Sequence, residues 1–564
     1  MTKPTLQLAG WFALAALALS AFVYLHNLDS EHAATNPDEL LYIQIARVTA
    51  DSGAWLPLGY VPTHSRNTKP PGLFWQGIVS TDWGKHWELW RLRYPCALYS
   101  LATAAMAFLL ARKIGGGTSS GVIAALAYLA FFGVYRHGRV FLTSAPETFW
   151  LFVPFFILLM WRPRAGDLSW PLAFSFGLII GIGLLYKSFA LVVPSAGGLA
   201  WWTLHQRGYS VGSWLRSDAP KIVLTSVLAL GVFSLWYWLD PQRHLILEDF
   251  ILKENVGKFD SGDGSYLLNF LIGKHSIWVY SLGWLTNAGL LAPAVLAVFV
   301  LSFLRRRKLP DGEKFLWIWI AAVFLAFMPS NLRYERYLLP AMPAVSVVCA
   351  LHWGQIPRWV LGVTLFACAV LAASLGAGSV LLTRELGSGP LYPWIYWLLI
   401  AGTVAFALAG LLQARWTHAF TLPAVFLVYL AYAGFLYPFD GPRGEYDRAA
   451  IDAMNGRTVA FPSPHGCREE IYRFMLPGSN VRHIKTRNTR SADELRKEDT
   501  AFILVRSVGD DSLENIPGLR VLGRRLTLQE YFTDAEILDM LRGNVARNLF
   551  YDDVLVEVVP PPAG

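Results

Sequence analysis

Apolar residues run in blocks of about twenty, broken by short basic clusters, from residue 7 to residue 437. A helix rises about 1.5 Å per residue, so a block of that length crosses the ~30 Å hydrocarbon core of a bilayer. The blocks fall near 7–26, 92–111, 119–135, 147–161, 170–186, 188–204, 222–239, 276–304, 315–330, 337–353, 359–382, 394–412 and 419–437, and predict about thirteen spans. The 276–304 run is long enough to tilt or to begin outside the bilayer. Residues 7–26 read as a retained anchor, because the run is long for the apolar part of a signal peptide and a polar loop follows at once. A cleaved signal peptide ending near Ala34 is the alternative.

From about Asp440 the pattern becomes that of a soluble domain. TVAF, AFILV and VLVEVV predict buried strands, and the S/T-x-x-E boxes at Ser491 to Glu494 and Thr533 to Glu536 predict helix starts. The fold class is therefore a polytopic α-helical membrane protein, residues 1–439 with outer loops 27–91 and 240–275, followed by an extracytoplasmic α/β domain over 440–564.

Charge orients the chain. With the N-terminus inside, alternate loops carry fifteen cations (Lys3, Arg112, Lys113, Arg162, Arg164, Arg207, Arg216, Lys221, Arg305, Arg306, Arg307, Lys308, Lys314, Arg358 and Arg415) against Asp167, Asp218, Asp311 and Glu313. That excess obeys the positive-inside rule and puts the opening loop, the 240–275 loop, the 331–336 turn and the C-terminal domain outside. A bacterial inner membrane with a periplasmic C-terminal domain is the expected setting. The net charge of +8 fits basic inner loops and contact with anionic lipid, and no nucleic-acid signature accompanies it. Cys96, Cys349 and Cys368 lie in apolar segments and Cys467 alone in the tail, so no disulfide framework is implied.

Four polar clusters gather on the outer side. The first loop holds Asp38, Glu39 and Tyr42 at the start of a short amphipathic helix, with Asn36 suited to its N-cap and Pro37 to its first turn. It also holds Lys69, held by Pro70 and Pro71. A second turn runs from Arg136 and Arg139 through Thr143 and Ser144 to Glu147. The 240–275 loop brings Glu254, Asn255 and Lys258, and a fourth turn brings Arg333, Arg336 and Tyr337. Lys187 closes an otherwise apolar span. Taken singly, each cation fits headgroup anchoring or snorkelling. Together they set cations from four loops on one face, near the membrane plane.

These pieces resemble the GT-C glycosyltransferases related to protein O-mannosyltransferases and to the aminoarabinose transferase of lipid A. The resemblance is carried by Asp38, Glu39 and Tyr42, by Lys69-Pro-Pro-Gly-Leu-Phe-Trp75, by Arg139-Val-Phe-Leu-Thr143, by Lys187, by Glu254-Asn255-Val-Gly-Lys258-Phe259, and by Arg333 with Tyr337-Leu-Leu-Pro340. It extends from the first loop to about residue 343; beyond 350 only the layout matches. It implies a polyprenyl-phosphate-sugar donor (undecaprenyl or dolichyl), an outer active site and inversion at the anomeric carbon. It makes Asp38 the acid/base or acceptor-positioning group; Glu39 and Glu147 are further candidate carboxylates in this chain. It gives the donor phosphate to Lys69; Lys258, Arg333, Arg336 and Tyr337 are further candidates to hold it, with Tyr42, Arg139, Lys187 and Asn255 completing the site. The family usually has an Asp after the Leu-Thr of the second outer loop; here that residue is Ser144, and Glu147 lies about one helical turn further on.

The chemistry agrees on its own terms. A phosphate leaves without protonation if cations cover its developing charge, and a hydroxyl acceptor wants a carboxylate base, for which Asp38 is the candidate. No compact carboxylate cluster indicates a metal and no cofactor is implied, although a divalent ion held through Asp38 or Glu39 stays open. The acceptor stays open among lipid, glycan and protein. Two alternatives stay open as well: a transporter or flippase, against which stand the lack of an internal repeat and the placing of charges at span ends, and an inactive lipid-binding scaffold.

Overall fold

The computed structural model describes residues 3–32, 37–59, 69–161, 168–257, 266–387, 389–462, 468–484, 501–516, 518–529 and 532–559. Asn36, Lys258, Cys467 and the Ser491 to Glu494 box fall outside these residues, as do Arg162, Arg164 and Asp167.

The first part of the chain runs through α1 (Lys3–Leu25), α2 (Pro37–Asp51), α3 (Gly72–Ser80), α4 (Leu89–Gly115), α5 (Thr118–Ala130), α6 (Phe132–Gly138), α7 (Ser144–Trp161) and α8 (Trp170–Leu184). Among the described residues eight helices are long and apolar enough to cross a membrane, or nine if the bent pair α5–α6 is one span. The protein is thus a multi-pass helical membrane protein. Its span helices are apolar all round because one side meets protein and the other lipid: Trp236 is buried, whereas Trp238, Leu239, Trp394 and Leu398 stand exposed.

Two packing devices explain how the spans hold together. Gly177 and Gly181, one turn apart on α8, lie so close to the helix Ala219–Leu239 that an added Cβ would sit 2.6 Å from Leu228 Cβ and Val232 Cβ. Small residues at that spacing let two helices approach where no hydrophobic force separates lipid from protein; Thr225 Oγ1 then donates to Ala173 O at 2.9 Å. The second device is the 64° break between α5 and α6. A break frees carbonyls that hydrocarbon cannot satisfy. Here Tyr24 donates its hydroxyl to Leu129 O at 3.0 Å and Tyr429 to Ala130 O at 2.8 Å.

Past the last span lies a five-stranded sheet: β1 (Thr458–Pro462), β2 (Asn480–Ile484), β3 (Ala501–Ser507), β4 (Leu519–Leu528) and β5 (Phe550–Val558), in the order β2-β1-β3-β5-β4. β1 pairs in parallel with β2 and β3, and β5 is antiparallel to β3 and β4. TVAF, AFILV and VLVEVV are β1, β3 and the end of β5, and Thr533 and Glu536 close a reciprocal capping box on the helix Asp534–Leu541.

The sheet domain is clamped to the opening loop. Arg525, almost fully buried, pairs with Glu31 at 2.9 Å and with Asp553 at 3.1 Å. Arg47 on α2 donates from Nε to both oxygens of Glu470 at 2.9 and 3.1 Å. His32 Nε2 accepts the Leu528 N–H at 3.3 Å, so its Nδ1–H donates to Asp440 at 2.8 Å. Burial pushes the Glu470 carboxyl above the usual range, and Arg47 and Arg473 oppose that. The opening loop and the sheet domain therefore share one face of the membrane part.

Candidate active site

On that face a cavity of about 500 Å³ opens between the first loop, the end of α8, the 246–256 segment and the 330–337 turn. α2 starts with Asp38 at its rim, where a carboxylate suits the positive end of a helix. Asp38 Oδ2 accepts from Arg336 Nη1 at 2.7 Å.

Lys69 enters from the KPPG segment. That segment is pinned by the Gly72 N–H, which donates to Leu185 O at 2.9 Å. A Cβ on Gly72 would lie 2.8 Å from that same oxygen, so the approach needs glycine. Lys187 follows two residues after this contact, which brings two cations of distant sequence to one wall. Lys69 Nζ bonds Glu254 Oε1 at 2.6 Å, and Lys187 Nζ bonds Glu147 Oε2 at 2.7 Å while sitting 5.2 Å from the Tyr337 ring centre. Glu254 rides on a π-helical stretch, Ile246–Val256, a wide turn often found where function needs it. Its neighbour Asn255 accepts from Ser188 Oγ and donates to Phe250 O, both at 2.7 Å.

Asp38, Tyr42, Lys69, Lys187, Asn255, Arg336 and Tyr337 all line the cavity, with Thr143, Ser144, Glu254 and Tyr334. Glu147, at 1% exposure, stands behind Lys187, and its second oxygen is buried without a partner among the described residues. Burial, with the charge of Asp38 close by, pushes the Tyr42 phenol far above its usual value, so it stays a neutral donor. Among the described residues no three His, Cys, Asp or Glu side chains converge as a metal site would require.

Three expected site residues point elsewhere. Glu39 is buried in a two-pronged bond with Arg93, 2.7 Å on each arm, and also accepts the Phe141 N–H at 2.7 Å. Arg93 fixes the loop further through Leu28 O and Ser30 O. Arg139 is buried against the Tyr135 hydroxyl and the His26 carbonyl. Arg333 donates to Met328 O at 2.8 Å and His275 O at 2.5 Å and lies over the Phe270 ring. None of the three lines the cavity, and Lys258 lies outside the described residues. Two residues go unassigned by the sequence reading. Glu254 stands in the same motif as Asn255, and Arg93 is an ionisable group at the head of an apolar span, a signal in its own right.

The sequence profile of the dolichyl-phosphate-mannose-protein mannosyltransferase family matches residues 11–244. The undecaprenyl phosphate-alpha-4-amino-4-deoxy-L-arabinose arabinosyl transferase of Edwardsiella ictaluri (strain 93-146) is 26% identical over 357 residues, 61% of this chain and 59% of that protein. Transferase 2 of the same description from Proteus mirabilis (strain HI4320) is 25% identical over 67% of this chain and 66% of its own. The chain thus spans a little under two thirds of the length of these relatives. Among solved structures, ArnT from Cupriavidus metallidurans bound to undecaprenyl phosphate superposes with a TM-score of 0.61 at 18% identity, over 98% of this chain and 99% of that one. Its apo form gives 0.60 over 92% and 96%. The likeness to GT-C proteins read from the loop motifs therefore holds in sequence and in fold.

Proposed function

We propose, from the GT-C fold that the chain shares with these proteins, that it is a glycosyltransferase moving a sugar from a polyprenyl phosphate to a lipid, glycan or protein acceptor, with inversion. The observation that carries this reading is one cavity lined by Lys69, Lys187, Arg336, Glu254 and Asp38, with Glu147 behind Lys187, where three cations meet three carboxylates at 2.6–2.7 Å. The acceptor oxygen attacks the anomeric carbon, the bond from that carbon to the phosphate oxygen breaks, and the phosphate leaves as a monoester. Lys69 and Arg336, with Lys258, cover the charge that grows on it. Tyr337, Tyr42 and Asn255 place the donor. Asp38 takes the proton of a hydroxyl acceptor or positions an acceptor that is already ionised. Glu147 stands in for the acid missing at Ser144, with Lys187 as its counter-ion.

Glu39, Arg139 and Arg333 support the site from behind: each ties a loop to a carbonyl, a ring or a buried charge. Residues 1–439 form the transmembrane catalytic unit and 440–564 a cap. The contact between the opening loop and the sheet domain, with the basic loops at the other span ends, supports a periplasmic active site in a bacterial inner membrane.

The test is donor-dependent transfer by purified protein. Incubation with a polyprenyl-phosphate sugar and a membrane glycolipid fraction is expected to give glycosylated product and free polyprenyl phosphate in equal amounts. Uptake of the intact donor by vesicles, with no bond broken, would move the assignment to transport.

A further inference from the structure

We infer that Glu254 is a built-in competitor of the phosphate at Lys69, which weakens donor and product binding and drives product release. The inference rests on the transferase reading. Lys69 Nζ and Glu254 Oε1 meet at 2.6 Å on the cavity wall, with side chains 20% and 25% exposed. Both ends are anchored by backbone. Pro70, Pro71 and the bond from Gly72 to Leu185 O hold the lysine; the ties of Asn255 to Ser188 and Phe250 O hold the glutamate. The contact is thus made by side chains alone and can exchange without moving an element.

Asp38 pairs with an arginine, the two side chains 38% and 31% exposed, and the remaining carboxylates are closed off from solvent. Glu39 and Arg93 are 3% and 4% exposed and locked on two arms, and Glu147 is 1% exposed. A half-open pair between a flexible ammonium and a carboxylate is weak and competes on nearly equal terms with a charged phosphate oxygen. The competition is unequal across the reaction. The donor is a phosphodiester with one charge, whereas the product is a monoester carrying about −1.5 to −2 at neutral pH. The product therefore grips Lys69 harder than the donor does. A carboxylate tethered beside the lysine acts at the high effective concentration of any linked group and takes Lys69 back after transfer.

The experiment measures binding of a polyprenyl monophosphate in detergent micelles to the full-length protein, with melting temperature as the folding control. Glu254→Gln and Glu254→Ala are each expected to tighten binding about two- to fivefold, the reach of a partly exposed pair. Both should lower KM and kcat together and strengthen product inhibition. The gain should vanish in the Lys69→Gln background. A loosened fold would weaken binding, so tightening separates competition from a structural role. Unchanged or weaker binding in both variants, with normal binding by the wild type, overturns the competitor role alone. No binding by the wild type overturns the donor reading and the competitor role with it.

Discussion

Asp38 and Arg336, 298 residues apart in the chain, meet at 2.7 Å. The contact joins the opening loop to the turn before a late span, and it sets Asp38 apart from its neighbour. Glu39 leaves the helix about 100° away, toward Arg93 and Phe141 N. One acid faces the cavity and the next faces the core.

That division predicts different failures. Glu39→Ala leaves Arg93 buried with an unpaired charge and should cost about 3–5 kcal/mol of stability. Asp38→Asn, at a side chain 38% exposed, should leave the melting temperature near that of wild type. Thermal unfolding of both variants in one detergent checks this, and equal melting temperatures would contradict it.

Lys187 and Glu147 form a second buried pair, 17% and 1% exposed. Lys187→Met strands the Glu147 carboxylate and should destabilise by about 3–5 kcal/mol, whereas Lys187→Met with Glu147→Leu should recover most of that. A double variant no more stable than Lys187→Met would show that the pair does not set the cost. Ser144→Asp, one turn from Glu147 on the cavity wall, should keep or raise transfer.

Orientation is tested by labelling. In a background with the four cysteines replaced, Asp511→Cys should react with an impermeant maleimide in intact cells and Lys308→Cys only after lysis. The reverse pattern would invert the topology.

The capping box gives a pH signature. The Thr533 N–H at 2.7 Å, Gln529 Nε2 at 3.1 Å and the Thr533 hydroxyl at 2.8 Å hold the Glu536 carboxyl below the usual range. A lowered folded-state value means that the stabilisation is full above the ordinary carboxylate pKa and fades as pH falls through the folded value. Hydrogen exchange of residues 534–541, corrected for intrinsic rates, should therefore keep its protection down to the ordinary carboxylate pKa of about 4.3 and lose it as pH falls further. Glu536→Gln should show little such change.

Much of this was readable from periodicity. Apolar blocks mark the spans because lipid tolerates little else, and VLVEVV marks β5 because Val554 to Glu557 are buried on both faces. β4, LRVLGRRLTL, escapes because its arginines are paired within the fold, Arg525 with Asp553 and Glu31. The cavity was legible where a motif supplied rigidity, as prolines do beside Lys69. It was not legible where two neighbours of like charge diverge, as Asp38 and Glu39 do, because local sequence does not say that Arg93 waits on one side. Arg333 and Arg336 part in the same way: one is tied to the carbonyls of Met328 and His275, and the other reaches Asp38.

The most direct measurement is transfer from a polyprenyl-phosphate sugar by purified Asp38→Asn beside wild type, with melting temperature as control. For a hydroxyl acceptor the amide cannot take the proton, and the rate should fall by about 10²-fold or more. For an ionised phosphate acceptor the loss should be smaller but still present, since Asp38 positions that group. A wild-type rate from folded Asp38→Asn would contradict the account.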